Sequence, residues 1–420
     1  MTTILKMIQG AGQIGGNIVI IEGYNSRIVI DFGIPLTELN GNPIDLKLDD
    51  ETVKKYLPDI PDLYNDTQEK ETVILLSHAH PDHFGLMRYL NKNINIYTTQ
   101  TTKSLIKKCS NILYKNLYDT LNLQEIKDKK ECYDFIIQTF PVDHSVGGAC
   151  AFKITDRVTG KTILYSGDIR CHGRNKKDIN KFINNNKKTD YFIVEGTTLS
   201  RDGYNIKSEK EIENEFVKKI EQNKVNIVCC SPLNIQRIIS VYNACIRANK
   251  KFVIDPYTAY MLEVYADKKI PNYKSEHLKV YCAPNTQTKK IFKDESYKKY
   301  HKNKITFKEI MKNPENYVIK DNARVSKSIL KRIDINDINI IYSYWEGYLD
   351  KENCRWNKYK DKLQKIHTSG HIKGNDLIDL ITKINPKKII PIHTLYANKF
   401  EQYFKEKTII MKNNTKLKVS

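Results

Sequence analysis

The stretch Val73-Ile-Leu-Leu-Ser-His78-Ala-His80-Pro-Asp82-His83-Phe-Gly85 places three imidazoles and a carboxylate within six positions, directly after a short apolar run. Neutral imidazole nitrogens and carboxylate oxygens are the donors that hold zinc and related divalent ions. The alternation of His78 and His80 lets two rings converge on one ion, while Asp82 and His83 turn toward a second. With 10 histidines in 420 residues, three at these spacings beside an aspartate arise by chance on the order of one time in a thousand or less. Isolated core or capping histidines therefore explain the cluster poorly.

Such groups need a rigid support, and the chain supplies it as strands that end on polar residues. Val73 to Leu76 is short and apolar, so it reads as a buried strand with the cluster on the loop at its C-terminal end. Phe135 to Val142 leads to His144, Lys161 to Ser166 leads to Gly167-Asp168, and Tyr191 to Val194 leads to Glu195. Converging ends that bring His144 and Asp168 to the first cluster would complete the donors for two ions, with Asp168 able to bridge them. Gly10-Ala-Gly12-Gln-Ile-Gly15 matches a dinucleotide-binding fingerprint, yet the β-branched Asn17-Ile-Val-Ile-Ile-Glu22 follows it instead of a helix. Those glycines are turn residues, and residues 4–32 read as an antiparallel meander.

From about residue 203 the pattern changes. A charged amphipathic helix over Glu209–Asn223, a strand over Val225–Cys230, a helix over Asn234–Ala248 and a strand over Lys251–Asp255 alternate as in a parallel sheet with crossover helices. Residues 268–316 are rich in lysine and tyrosine, and exposed loops and helices describe them slightly better than a base-stacking surface does. A second informative block, His367-Thr-Ser369-Gly370-His371, precedes a helix over Asn375–Ile384 and a last strand ending on His393. The length exceeds that of one ordinary core, and the changes of pattern divide the chain into 1–202, 203–350 and 351–420.

A hydrophobic fraction of 40% is enough to fill two cores. The formal charge of +20 favours polyanionic partners, although abundant lysine, asparagine, isoleucine and tyrosine also fit an AT-rich coding bias. No signal peptide and no apolar membrane span are read. The 9 cysteines lack C-x-x-C spacing and read as reduced core thiols of a cytoplasmic protein.

The order His78-x-His80-x-Asp82-His83, His144, Asp168, His393, with Asp31 ending an early strand, resembles the metallo-β-lactamase fold. Glu195, Ser369-Gly370-His371 and Pro391-Ile-His393 resemble the additional motifs of its β-CASP nucleases, and the glycine-rich start, Asn234-Ile-Gln-Arg237 and the His367 block are most similar to the ribonuclease J family. The resemblance implies an α/β architecture: an αββα sandwich formed by 1–202 and 351–420, with 203–350 as an inserted β-CASP domain. It further implies metal ligation by His78, His80, Asp82, His83, His144, Asp168 and His393, catalytic roles for Asp82, Glu195 and His371, and substrate contacts from His367, Ser369 and Gly370. Two Zn²⁺ ions, with Mn²⁺ as the alternative, would supply the acidified water that attacks a phosphodiester. Asp82 would serve as ligand and proton acceptor, and His371, held by Glu195, would protonate the leaving oxygen or stabilise the transition state. A histidine at 393 points to RNA, since DNA-directed members usually carry valine there. The expected function is a metal-dependent ribonuclease acting on single-stranded RNA as a 5′-to-3′ exonuclease, an endonuclease or both, in RNA processing or decay. A DNA nuclease is the alternative, and a small-molecule hydrolase of the same fold is a more distant one. Two features depart from the family pattern. The chain ends soon after His393, giving the expectation of a short form without the C-terminal domain, which leaves homodimer formation open. Ser343-Tyr-Trp-Glu-Gly-Tyr348 also replaces the serine- and proline-rich sequence expected there.

Overall fold

The structure, a computed structural model, describes residues 2–39, 44, 50–66, 69–114, 116–199, 206–222, 224–282, 295–350 and 354–420. The chain forms two compact units, one of residues 1–171, 175–204 and 370–420, the other of residues 172–174 and 205–369. The expected first boundary at 202/203 lies outside the described residues. The return to the first unit falls at Gly370, not at 351 as the sequence suggested. The reason is a three-residue strand, Leu363–Lys365, which pairs in parallel with Ile338–Tyr342 and so extends the sheet of the second unit.

The first unit is a sandwich of two sheets. One contains β1 (Ile4–Gln9), β2 (Ile18–Glu22), β3 (Ser26–Ile30), β4 (Glu71–Leu75), β5 (Asn95–Thr98), β6 (Leu123–Glu125) and the terminal β19 (Thr415–Lys418). Their order is β19-β1-β2-β3-β4-β5-β6. The first three are antiparallel as the meander reading required, and β3, β4 and β5 are parallel. The other sheet contains β7 (Lys129–Cys132), β8 (Phe135–Pro141), β9 (Cys150–Asp156), β10 (Thr162–Tyr165), β11 (Tyr191–Glu195) and β18 (Lys388–Ile392), in the order β18-β11-β10-β9-β8-β7.

Alternation along β1 buries Leu5 and Met7 completely and turns Lys6 outward. Ile28, Ile30, Val73 and Leu75 join them against Phe135, Ile137, Phe152, Ile154, Ile163 and Ile193 of the facing sheet. On the outer side of the second sheet, helices Lys176–Asn185 and Gly374–Ile384 bury Phe182, Leu377, Leu380 and Ile381 on Leu164, Phe192, Val194 and Ile389. Helix Gln100–Leu113, N-capped by Thr99, packs beside β6. Because β8 and β10 each pair antiparallel with β9, and β10, β11 and β18 pair in parallel, four strand ends point the same way. Those ends carry His144, Asp168, Glu195 and His393.

The second unit is a parallel six-stranded sheet of β12 (Val225–Cys229), β13 (Lys251–Ile254), β14 (Leu278–Val280), β15 (Tyr317–Lys320), β16 (Ile338–Tyr342) and β17 (Leu363–Lys365), ordered β14-β13-β15-β12-β16-β17. Alternate residues serve opposite faces: Val228, Phe252, Ile254, Val318 and Ile341 meet helices Glu209–Ile220 and Ile235–Arg247, while Ile227, Val253, Ile319 and Ile340 meet helix Ala323–Leu330. Of the lysine- and tyrosine-rich tail, residues 283–294 lie outside the described residues. In its described part Tyr300 is buried, donates to Glu263 and lies edge-on to Tyr273, so that ring serves the core.

The histidine-rich segment is held by backbone. Phe32 N donates to His83 O at 2.7 Å and Ile34 N to Pro81 O at 3.1 Å, while Gly16 N and Asn17 N donate to Asp82 O at 3.0 and 3.3 Å. Here the glycine-rich start has its use: a Cβ on Gly15, which sits at φ +74°, would come within 2.7 Å of Asp82 Cβ. A Cβ on Gly33 would overlap the carbonyl group of Asp82. We expect Gly33→Ala to destabilise the first unit by about 2–3 kcal/mol through overpacking, read by urea denaturation monitored at fixed temperature. Wild-type stability in that variant would remove the clamp from this account.

Candidate metal centre

All seven expected donors converge in the first unit and form two groups that share Asp168. In the first group, His78 Nε2 and His144 Nε2 each lie 3.1 Å from His80 Nδ1, and Asp168 Oδ2 is 3.6 Å from His78 Nε2 and 3.8 Å from His144 Nε2. In the second, His393 Nε2 is 3.2 Å from Asp82 Oδ2, His83 Nε2 is 3.7 Å from Asp82 Oδ2 and 3.3 Å from Asp168 Oδ1, and His393 Nε2 is 3.9 Å from Asp168 Oδ1. Each carboxylate oxygen of Asp168 thus faces a different group. Donors on a tetrahedral zinc at about 2.1 Å stand roughly 3.4 Å apart, so this spacing fits an ion in each group. Both Asp168 oxygens and His83 Nε2 are enclosed and have no hydrogen-bond geometry to any partner among the described residues. Unmatched buried polar atoms of this kind are what a cation would satisfy.

Local structure aims the rings. The loop expected after β4 contains a helical turn, Pro81–Phe84, with His80 at its N-cap and proline at its first position. That turn swings Asp82 and His83 away from His80 and into the second group. His83 Nδ1–H donates to Asp31 Oδ2 at 2.7 Å, and His144 Nδ1–H donates to the Gly370 carbonyl at 2.7 Å. Ser77 Oγ donates to Asp31 Oδ2 at 2.8 Å and therefore accepts from His78 Nδ1–H at 3.0 Å. Thr197 Oγ1 repeats the device, donating to Glu195 Oε2 at 2.6 Å and accepting from His393 Nδ1–H at 2.8 Å. In four of the five rings, Nδ1 is engaged and Nε2 is left for the centre.

Glu195, His371 and His393 form a third group beside these. Glu195 is fully buried and accepts from Ile169 N and Thr197 N, and its two oxygens lie 3.1 and 3.2 Å from His371 Nδ1. The His371 side chain keeps 23% exposure, whereas His78, His83, His144 and His393 keep 0%. His367 and Ser369 lie in the second unit, where His367 Nδ1–H donates to Ser343 O at 3.1 Å and the Ser369 carbonyl lies 2.8 Å from His172 Nε2. Gly370 opens the last segment of the first unit.

Burial and neighbours divide the titrating groups. Burial, aided by adjacent rings, holds His78 and His144 well below the usual imidazole range, and burial also lowers His80. Burial acts the same way on His83, but Asp168, Asp31 and Asp82 outweigh it and raise that ring well above its ordinary value. Desolvation would raise Asp82 and Asp168, and the surrounding histidines pull both down instead. His371 overcomes its own burial through Glu195 and Asp168 and rises to about 9.

Sequence reasoning missed Ser77, Thr197, Tyr165 and the pair Asp143–Arg170. Tyr165 donates to Asp31 at 2.7 Å. Arg170 N donates to Asp143 O at 2.7 Å and its Nε stands 3.3 Å from Asp143 Oδ1, tying the His144 loop to the Asp168 loop. Asp143 directly precedes His144, a position where a second buried acid could have been suspected.

The charge division has a measurable consequence. In the metal-free protein His83 stays protonated at neutral pH, so a cation must displace its Nε2 proton, and loading strengthens as pH rises through the raised value. We expect Zn²⁺ titration at pH 7 to release at least about one proton per chain, from His83 and in part from metal-bound water, read as the dependence of calorimetric enthalpy on buffer ionisation enthalpy. Zero release would contradict the charged state assigned to His83.

A beta-lactamase superfamily domain model matches residues 59–214, and a model described as the Zn-dependent metallo-hydrolase RNA specificity domain matches residues 358–413. Ribonuclease J of Helicobacter pylori is 25% identical over 253 residues, 58% of this chain and 35% of that protein. Ribonuclease J of Mycoplasma genitalium is 22% identical over 416 residues, 91% of this chain and 66% of that one. The chain thus spans about a third of the first relative and about two thirds of the second. A crystal structure of a protein of unknown function from Enterococcus faecalis V583 superposes with a TM-score of 0.77 at 20% identity, with both chains fully covered, and shows the shared fold. The sandwich fold and the two matched models thus give the chain a beta-lactamase superfamily domain and a Zn-dependent metallo-hydrolase RNA specificity domain, and along most of its length it is similar to ribonuclease J proteins.

Proposed function

We propose that the chain is a metal-dependent ribonuclease that hydrolyses phosphodiester bonds of single-stranded RNA. The observation that carries this reading is the shared Asp168, whose two oxygens face two separate donor groups with Glu195 and His371 alongside. His78, His80, His144 and Asp168 would hold one divalent ion; Asp82, His83, Asp168 and His393 would hold the second. Zinc suits this nitrogen and oxygen set, and manganese is the alternative. Two such ions, when bound, would supply an acidified water and positive charge toward the phosphodiester oxygens.

The protein groups then divide the proton work. Asp82, held low by its histidine neighbours, is charged at pH 7 and accepts the proton of the attacking water. His371, raised to about 9, carries a proton at the same pH and donates it to the leaving oxygen. Glu195 holds the His371 ring by Nδ1 and keeps it charged. His367, Ser369 and Gly370 grip a substrate phosphate, with Gly370 offering its N–H because its carbonyl is engaged by His144. The charge of +20 suits a polyanion, and the matched RNA specificity model spans both His371 and His393. The role proposed is cytoplasmic RNA processing or decay, by 5′-to-3′ exonucleolytic cleavage, endonucleolytic cleavage or both; all nine cysteines are free, and among the described residues no helix is long and apolar enough to cross a membrane.

The test is cleavage of labelled single-stranded RNA by protein loaded with Zn²⁺ or Mn²⁺. We expect degradation by the wild type, none by Asp82→Ala/His83→Ala, and a loss of about 10²–10⁴ in rate for His371→Ala. Substrates with 5′-monophosphate, 5′-triphosphate and 5′-hydroxyl ends, beside matched DNA, report direction, end preference and sugar choice. A loaded wild type that leaves RNA intact, or a double variant that cuts it normally, would sink the reading.

A further inference from the structure

We propose that Trp345 and Tyr348 form a nucleobase-stacking platform for single-stranded RNA, an inference that rests on the ribonuclease reading. The two residues are 47% and 45% exposed. They sit in the loop after β16, which is anchored at both ends. Before it, Ser343 is buried, its N–H donates to Cys229 O at 2.9 Å, its Oγ donates to Ile366 O at 2.5 Å, and Arg237 donates to it. After it, Leu349 is buried and closes a short helical turn, Glu346–Tyr348. Between these anchors the rings pack edge to face with centroids 5.5 Å apart.

Gly347 fixes the indole. A Cβ at that position would overlap the six-membered ring of Trp345, so the ring lies directly over the Gly347 backbone. One surface of the indole is therefore backed by the main chain, Tyr348 stands perpendicular to it, and about half of the residue's surface is exposed. A ring ordered before binding loses little freedom when a base stacks on it. The loop is also in the right neighbourhood. Tyr342 and Lys365 are in register on adjacent parallel strands, so the Trp345 loop and the His367–Ser369 loop share the C-terminal edge of one sheet, where ligands of open α/β sheets bind. His367 donates to Ser343 O at 3.1 Å and Lys365 pairs with Glu346 at 2.8 Å, joining the two loops and offsetting the Glu346 carboxylate next to Trp345 in the chain. A phosphate held at His367 and Ser369 would carry its nucleoside toward this platform. Every base has a π-face, so such a site accepts any sequence.

The chain has two tryptophans, and Trp356 is buried, so iodide quenching of metal-free protein reports mainly on Trp345. A 5′-monophosphorylated RNA hexamer in EDTA should quench Trp345 emission and shield it from iodide. Trp345→Ala should weaken hexamer binding roughly ten- to a hundredfold, and Trp345→Phe should restore most of the affinity, which separates stacking from folding damage. Gly347→Ala keeps both rings but displaces the indole, and should weaken binding as well. Abasic hexamers should not distinguish Trp345→Ala from wild type. Unchanged affinity in Trp345→Ala, or iodide access unaltered by RNA, overturns the platform. If metal-loaded wild type cuts RNA while Trp345 has no effect on binding, the platform fails alone. If the wild type neither binds nor cuts RNA, the ribonuclease reading fails and the platform with it.

Discussion

The first unit depends on one buried carboxylate. Asp31 has no exposed surface, and it accepts four hydrogen bonds: from His83 Nδ1 at 2.7 Å, Ser77 N at 2.8 Å, Ser77 Oγ at 2.8 Å and Tyr165 Oη at 2.7 Å. Removing a carboxylate from water costs several kcal/mol unless such partners replace its hydration. Here they do more than compensate. Ser77 follows β4, His83 lies in the donor segment and Tyr165 ends β10 of the facing sheet, so one side chain joins three pieces of the sandwich where the donors converge. Asp31 also holds a left-handed backbone at φ 56°, and His393 does so at φ 54° with its N–H on Gly10 O. Strain of about 1–3 kcal/mol at each persists only where the surroundings over-determine the conformation.

The hydroxyls of Ser77 and Thr197 show how a site can set ring protonation with neutral groups. A hydroxyl has one proton to give. When a carboxylate takes it, the oxygen can only accept from a neighbouring imidazole, which fixes the proton on Nδ1 and exposes the lone pair on Nε2. His78 and His393, one in each donor group, are both governed in this way. The two hydroxyls therefore prepare a lone pair for each group without adding charge near it.

Much of this was legible in the sequence, because strand ends announce themselves. An apolar, β-branched run followed by His78, by Asp168 or by Glu195 needs only local pattern, and parallel pairing of β10, β11 and β18 then brings the ends to one edge. Partners that reach across the fold left no such trace: Tyr165 meets Asp31 from 134 positions away, and nothing around Tyr165 marks it. The glycine-rich start leads into a strand, Ile18–Glu22, as its sequence suggested, yet its fit against Asp82 is a tertiary contact that turn chemistry does not reveal. The shift of the last boundary to Gly370 has a similar cause. Leu363–Lys365 has one buried residue, too weak an apolar signal to be read as a strand, and it is pairing to β16 and the packing of Leu363 that place it in the second unit.

Partner type also explains why histidines crowded together end in different charge states. His78 and His144 have a hydroxyl and a carbonyl on Nδ1, and with burial they stay neutral. His83 and His371 each have a carboxylate on Nδ1, and both are raised. The two raised rings differ in access. His83 has no exposed surface, so its Nε2 proton faces only the second group, where an entering cation would displace it to solvent. His371 keeps part of its surface open, so its proton can pass to a molecule arriving from outside. An imidazole that holds a proton, meets a carboxylate and remains reachable is equipped as an acid, whereas its sealed neighbours are equipped as donors to cations. That separation, set by what occupies Nδ1 and by whether the ring is enclosed, would let one cluster of similar side chains bind metal and move a proton at the same pH.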